Sequence, residues 1–149
     1  MARTARIPPP PADPDVHAHR PRILRQARAD FFQQGYSRFT MDGLAAELGM
    51  SKKTLYVHFA GKDEIIGAVI DHLAAEIRAD ADTLLANRAL NLAEKLHAFI
   101  EGMMTRLAAL SPATLRDLQR FAPRLHQKLE DVRARTLPYV FGRFIEEGQ

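Results

Sequence analysis

Between Asp63 and Leu84 the apolar side chains Ile66, Val69, Ile70, Leu73, Ile77 and Leu84 recur at steps of three, four or seven residues. That is the spacing of one face of a long α-helix. The same period returns in Leu92, Leu96, Phe99, Ile100, Met103 and Leu107, which predicts a helix over about 90–110. It returns again in Leu125, Leu129, Val132, Leu137, Val140, Phe141, Phe144 and Ile145. Between these two stretches, "SPATLRDLQRFAP" brings its own cap and first-turn proline at Ser111 and Pro112 and closes at Pro123. Pro138 falls inside the last stretch, where it is expected to kink or split the helix. No period-two alternation persists anywhere, so no strand is predicted. The fold class is all-α.

A chain of 149 residues can bury a core of its own, as one domain or as a small domain joined to a modest second one. The absence of cysteine excludes disulfides and thiolate metal sites, and it suits a reducing compartment. No apolar run approaches the ~18 residues a membrane helix needs, and the amino terminus lacks the apolar core of a secretory signal. A soluble, cytoplasmic protein is expected, with no membrane partner. The net charge of +3 is unevenly spread. Residues 1–62 hold ten Lys/Arg against five Asp/Glu, whereas residues 63–149 hold eleven against thirteen. A bound polyanion would therefore meet the first part.

Residues 1–21 contain four consecutive prolines, Pro8 to Pro11, and almost no large apolar side chains. They read as a disordered, proline-rich tail. Within it, Arg3 and Arg6 are open to two readings: a basic arm that enters a minor groove, or part of an inert tail. Ile23, Leu24, Ala27 and Phe31 then predict a first helix over 22–34, with Gly35 as its stop. Thr40 precedes "MDGLAAELG" as a cap, and Asp42 sits favourably in the first turn. Leu44, Ala45 and Leu48 form the buried face of this second helix, which ends near Gly49. Ser51 caps a third helix two residues later, anchored by Leu55 and Phe59. That anchoring leaves Lys52, Lys53, Thr54, Tyr56 and His58 on other faces. Taken singly, Thr40 and Ser51 are explained as caps, Tyr56 and His58 as half-buried side chains, and Lys62 as a solvated lysine. Together, in this order over 23 residues, they form a helix-turn-helix whose last helix is suited to a DNA major groove. The lysines supply charge for phosphates or guanine acceptors, and the hydroxyls supply directed hydrogen bonds. Thr40 and Lys62 lie at helix amino termini, where an anion such as phosphate is favoured.

The stretch "FTMDGLAAELGMSKKTLYVHFAGKDEII", preceded by "ILRQARADFFQQGY", resembles the DNA-binding domain of the TetR family of bacterial transcriptional regulators. Ala27, Phe31, Gly35, Thr40, Ala45, Gly49, Ser51, Leu55, Tyr56, Phe59 and Lys62 all fall in register with it. The resemblance covers about residues 22–70. It implies a homodimer that reads a near-palindromic double-stranded operator, usually to repress transcription. It also implies that Thr40, Tyr56, His58 and Lys62 hold phosphates, while Lys52, Lys53 and Thr54 face bases or nearby phosphates. Two positions depart from the family pattern. Asp30 stands where an apolar residue is common, which suggests a rotated or less buried first helix, and Lys53 stands where glycine is frequent.

The implied organisation is a helix-turn-helix domain over residues 22–66 and a helical effector-binding and dimerisation region over 67–149. Candidate effector-lining residues are Leu73, Ile77, Phe99, Met103, Met104, Leu107 and Phe121, although a plain helical core needs the same spacing. The adjacent methionines suggest an apolar effector. His72, His97 and His126 lack a metal-ligand spacing, so neither metal nor cofactor is expected. The chain stops after "TLPYVFGRFIEEGQ", where similar regulators continue for two more helices, so a shortened region that dimerises weakly or differently is expected. An enzyme finds little support, with no cysteine, no glycine-rich phosphate loop and no helical His/Glu metal pair. The alternative function is a helical protein-interaction module that has lost DNA binding.

Overall fold

A computed structural model describes residues 16–149, and among them there are seven α-helices and no strand. In chain order these are α1 (Val16–Gln34), α2 (Met41–Leu48), α3 (Lys52–His58), α4 (Lys62–Ala86), α5 (Leu92–Ala108), α6 (Pro112–Phe121) and α7 (Pro123–Glu147). Short-range chemistry sets most of these limits. Thr40, Ser51, Asn91 and Ser111 each cap a helix by accepting a backbone N–H, and Asn91 with Glu94 forms a reciprocal capping box.

Two expectations about proline need correction. The first helix begins at Val16 rather than after Pro21, so residues 16–21 are helical and Pro21 lies inside α1. Tertiary contacts hold this added turn against the lost backbone donor. The Arg20 guanidinium sits 4.3 Å from the centre of the Phe59 ring and donates to the His58 carbonyl at 3.2 Å. Residues 1–15, with Arg3 and Arg6, lie outside the described residues. Near the other end, α7 runs unbroken through Pro138 and is not split. Buried Thr136, Val140 and Phe144 keep the turns on both sides of the proline packed.

Both hydrophobic cores are organised along α4. The first gathers Ile23, Ala27 and Phe31 of α1, Leu44 and Leu48 of α2, and Leu55 of α3 around Ile65, Ile66, Val69 and Ile70. Leu118 of α6 and Leu125 of α7 close it. The second joins Leu73, Ile77 and Ala81 to Phe99 of α5 and to Val140 and Phe144 of α7. Each large side chain buried here contributes about 1.5–3 kcal/mol. The boundary expected at residue 66 thus falls inside one helix and one core.

Ion pairs run from α4 to three neighbouring helices: Arg28–Glu76 at 2.6 Å to α1, Arg106–Asp80 at 2.7 Å to α5, and Lys128–Asp71 and Arg143–Asp82 at 2.8 and 2.9 Å to α7. Exposed pairs of this kind each add little stability, but they favour one register. Lys95 is buried, and its Nζ donates to the Leu85 carbonyl at 2.8 Å and to Glu147 at 2.7 Å, tying the ends of α4, α5 and α7 together.

Asp30 does not rotate α1 out of the core. It is buried, and Gln26 donates to it at 2.9 Å and to Glu47 at 2.6 Å. A hydrogen bond to Asp30, and then repulsion by its charge, raises the pKa of Glu47. The Gln26 amide thus supplies a hydrogen bond to a buried carboxyl at a position otherwise suited to an apolar side chain.

The turn after α1 is clipped to α6. Asp117 accepts hydrogen bonds from the Ser37 backbone N–H and from its Oγ, both at 2.8 Å. Gly35 makes this turn at φ +78°, and a Cβ there would lie 3.0 Å from Asp117 Oδ2. Gly35→Ala is expected to lower unfolding stability by ~1–2 kcal/mol or more in urea titrations, because strain and the clash with the clip act together. The bonds from Ser37 lower the pKa of Asp117. A depressed carboxyl contributes stability that is complete above the unfolded pKa, about 4, and is lost as pH falls through the native value. Asp117→Asn is therefore expected to flatten the acid limb of stability below about pH 4, measured by denaturation at stepped pH.

Candidate nucleic-acid interface

The turn between α2 and α3 is built by Gly49, which adopts the left-handed conformation at φ 63° and returns its N–H to the Ala45 and Ala46 carbonyls. Ser51 then starts α3 by accepting the Thr54 N–H at 3.1 Å, and the two hydroxyls pair at 2.9 Å. Leu55 and, just beyond the helix, Phe59 are fully buried, which fixes the rotation of α3. At 100° per residue, Lys53 and Val57 point directly away from Leu55, with exposed Lys52 and Tyr56 on one flank and half-buried Thr54 and His58 on the other. Exposure agrees, at 70% for Val57 and 47% for Tyr56. Val57 was missed as a candidate because it is apolar. The signal was its position four residues after Lys53, on the face opposite Leu55.

The charges on this surface are not equivalent. Lys52 pairs with Asp42 of α2 at 2.8 Å, and that bond raises its pKa. Lys53 is exposed, with no ion pair or hydrogen bond among the described residues. His58 is half-buried, its ring 5.7 Å from that of His19. The Thr40 hydroxyl accepts the Gly43 N–H at 3.0 Å, which leaves its own proton available outward. At the start of α4, the Lys62 ammonium lies 4.0 Å from the centre of the Tyr36 ring. Burial there lowers its pKa, against the opposing pull of Asp63 and Asp117. Tyr36 donates to Asp63 at 2.6 Å, and its phenol is pushed up to about 12 by burial and then by that bond. Arg22, which also escaped sequence reasoning, closes the end of α2 by donating to the Leu48 carbonyl at 2.7 Å.

A hollow of about 370 Å³ opens between α4, α5, α6 and α7. Five of the seven residues expected there, Leu73, Ile77, Met103, Met104 and Leu107, line it. Two do not. Phe99 is buried against the rings of Phe144 and Phe141 at 5.3 and 6.3 Å, and Phe121, at the end of α6, is 53% exposed beneath the Arg120 guanidinium. Residues not foreseen, including Ile70, Leu129, Thr136 and Leu137, complete the lining. A separate polar hollow of about 510 Å³ lies between α1 and α4, crossed by the Arg28–Glu76 pair. Among the described residues, no group of three His, Asp or Glu is placed to hold a metal ion, and no helix is long and apolar enough to cross a membrane.

Removal of the Ser51 hydroxyl tests how α3 is held. Ser51→Ala is expected to cost about 1 kcal/mol and to speed amide exchange in the first turn of α3 more than in α2.

Residues 23–69 match the family model described as bacterial regulatory proteins, tetR family. The HTH-type transcriptional regulator YvaF of Bacillus subtilis (strain 168), itself uncharacterised, is 33% identical over 100 residues, which are 67% of this chain and 52% of that protein. The chain thus spans about half the length of this relative. Among solved structures, a chain from Mesorhizobium loti assigned to the TetR family superposes with a TM-score of 0.64 at 17% identity, covering 91% of this chain and 70% of its own. The TetR family regulator PfmR of Thermus thermophilus superposes at 0.58 with 26% identity, covering 85% and 72% respectively.

Proposed function

We propose that the chain, whose residues 23–69 match the TetR family model, is a sequence-specific, DNA-binding regulator of transcription, a repressor released by a small apolar effector. The observation that carries the reading is the outward face of α3. Its anchor, Leu55, is buried, and opposite it stand an exposed Val57 and a Lys53 with no ion pair among the described residues. A lysine can reach guanine acceptors, and a small apolar side chain can meet a thymine methyl. Lys52, Thr54 and Tyr56 extend this face toward bases and nearby phosphates. Thr40, Tyr56, His58 and Lys62 hold phosphates on either side, and Ser51 keeps the helix in place.

One such face covers a short stretch of duplex, so a homodimer reading a near-palindromic operator completes the proposal. The chain works in the cytoplasm, where its DNA lies, and requires no catalysis. The hollow between α4 and α7 takes the effector. Its floor is α4, the helix whose first residue is Lys62, so a displacement of α4 on binding would carry that phosphate contact with it.

Selection of bound duplexes from random DNA by the full chain, followed by affinity measurements at several salt concentrations, tests the reading. Affinity for the selected duplex is expected to fall steeply with salt, whereas a flat response or no selected sequence favours the protein-interaction module. Lys62→Ala should weaken all duplexes alike and reduce the salt slope by about one. Lys53→Ala should instead relax preference at one base position by ~1–3 kcal/mol, and an equal loss on every duplex contradicts its reading role.

A further inference from the structure

The hollow proposed above for an effector is lined almost wholly by apolar side chains, with a single exception in its depth. Thr136 of α7 is 3% exposed, lines the hollow, and has an Oγ1 with no hydrogen-bond partner among the described residues. A buried hydroxyl left without a partner costs free energy that a ligand can recover. The remaining polar groups at the hollow, Glu130 and Arg133, stand 3.9 Å apart with side chains 47% and 67% exposed. They balance each other at the rim and leave no net charge in the interior. An ionised ligand group drawn into that interior would lose its hydration with no counter-charge to replace it.

We propose that Thr136 is the polar anchor of the site, and that the ligand is an apolar molecule carrying a neutral acceptor oxygen, a hydroxyl or carbonyl, within its body rather than a carboxylate or phosphate head. The Thr136 hydroxyl, which has almost no accessible surface of its own, turns about χ1 to donate to that oxygen while the α4 and α5 side chains, among them Leu73, Ile77, Met103 and Leu107, enclose the apolar part. This rests on the hollow being a ligand site, as proposed above.

The test uses the full chain and three probes of one shape, naphthalene, 2-naphthol and 2-naphthoate, with affinities measured by calorimetry at pH 7. 2-Naphthoate is expected to bind most weakly. The affinity ratio of 2-naphthol to naphthalene is expected to fall about fivefold in Thr136→Val, which keeps the shape and removes the hydroxyl, and to survive in Thr136→Ser. An unchanged ratio in Thr136→Val overturns the anchor while binding of both neutral probes leaves the hollow intact as a site. Tightest binding of 2-naphthoate overturns the neutral-ligand class. Failure of all three probes to bind removes the hollow as a ligand site, and this proposal with it.

Discussion

Everything else in the molecule is positioned by the burial of one stripe along α4. Ile65, Ile66, Val69 and Ile70 close the core beneath the helix-turn-helix, and Leu73, Ile77 and Ala81 continue the same stripe into the second core. One helix therefore belongs to both halves, with no linker between them. Its ion pairs to α1, α5 and α7 hold those helices in register at little net energy. The hollow exists because α5 and α7 meet at Phe99, Phe141 and Phe144 but leave α4 partly uncovered farther along, toward Met103 and Leu129.

The α3 surface depends on that core in a simple way. A helix of seven residues is too short to hold its shape alone, so its rotation is set by the cap at Ser51 and by the burial of Leu55 and Phe59. Once those are placed, the exposure of Lys53 and Val57 follows from helical geometry. Lys62 is held differently, at the head of α4 and against an aromatic ring, so it is more rigid and less hydrated than the lysines of α3.

What could be read from the residues alone was whatever depends on neighbours in sequence. The caps Thr40, Ser51 and Ser111 and the stops Gly35 and Gly49 act within a few residues, and the apolar periods define α4, α5 and α7 directly. The misses share one cause, a partner distant in the chain. The start of α1 depends on Arg20 finding Phe59, 39 positions later. Asp30 is tolerated because Gln26, itself bound to Glu47 21 positions on, donates to it, and Asp117 holds the turn at Ser37 from 80 residues away. In the hollow, Phe99 and Phe121 match the lining residues in type, and only the crossing of α5 with α7 and the end of α6 decide that neither faces it. Thr136 carried no local signal, because a threonine in a helix is ordinary until its burial is known.

The pairing of Lys52 with Asp42 has a consequence for how quickly a reader of DNA finds its site. In the proposed DNA-binding role, a phosphate oxygen must compete with Asp42, 2.8 Å from the Lys52 ammonium, so on random duplex Lys52 would add less to the grip than an unpaired lysine. Weak attachment to unrelated sequence shortens each unproductive visit, and a protein that dwells less on the wrong DNA samples more of it per unit time. In that reading, Asp42 would set the pace of the search rather than oppose its outcome.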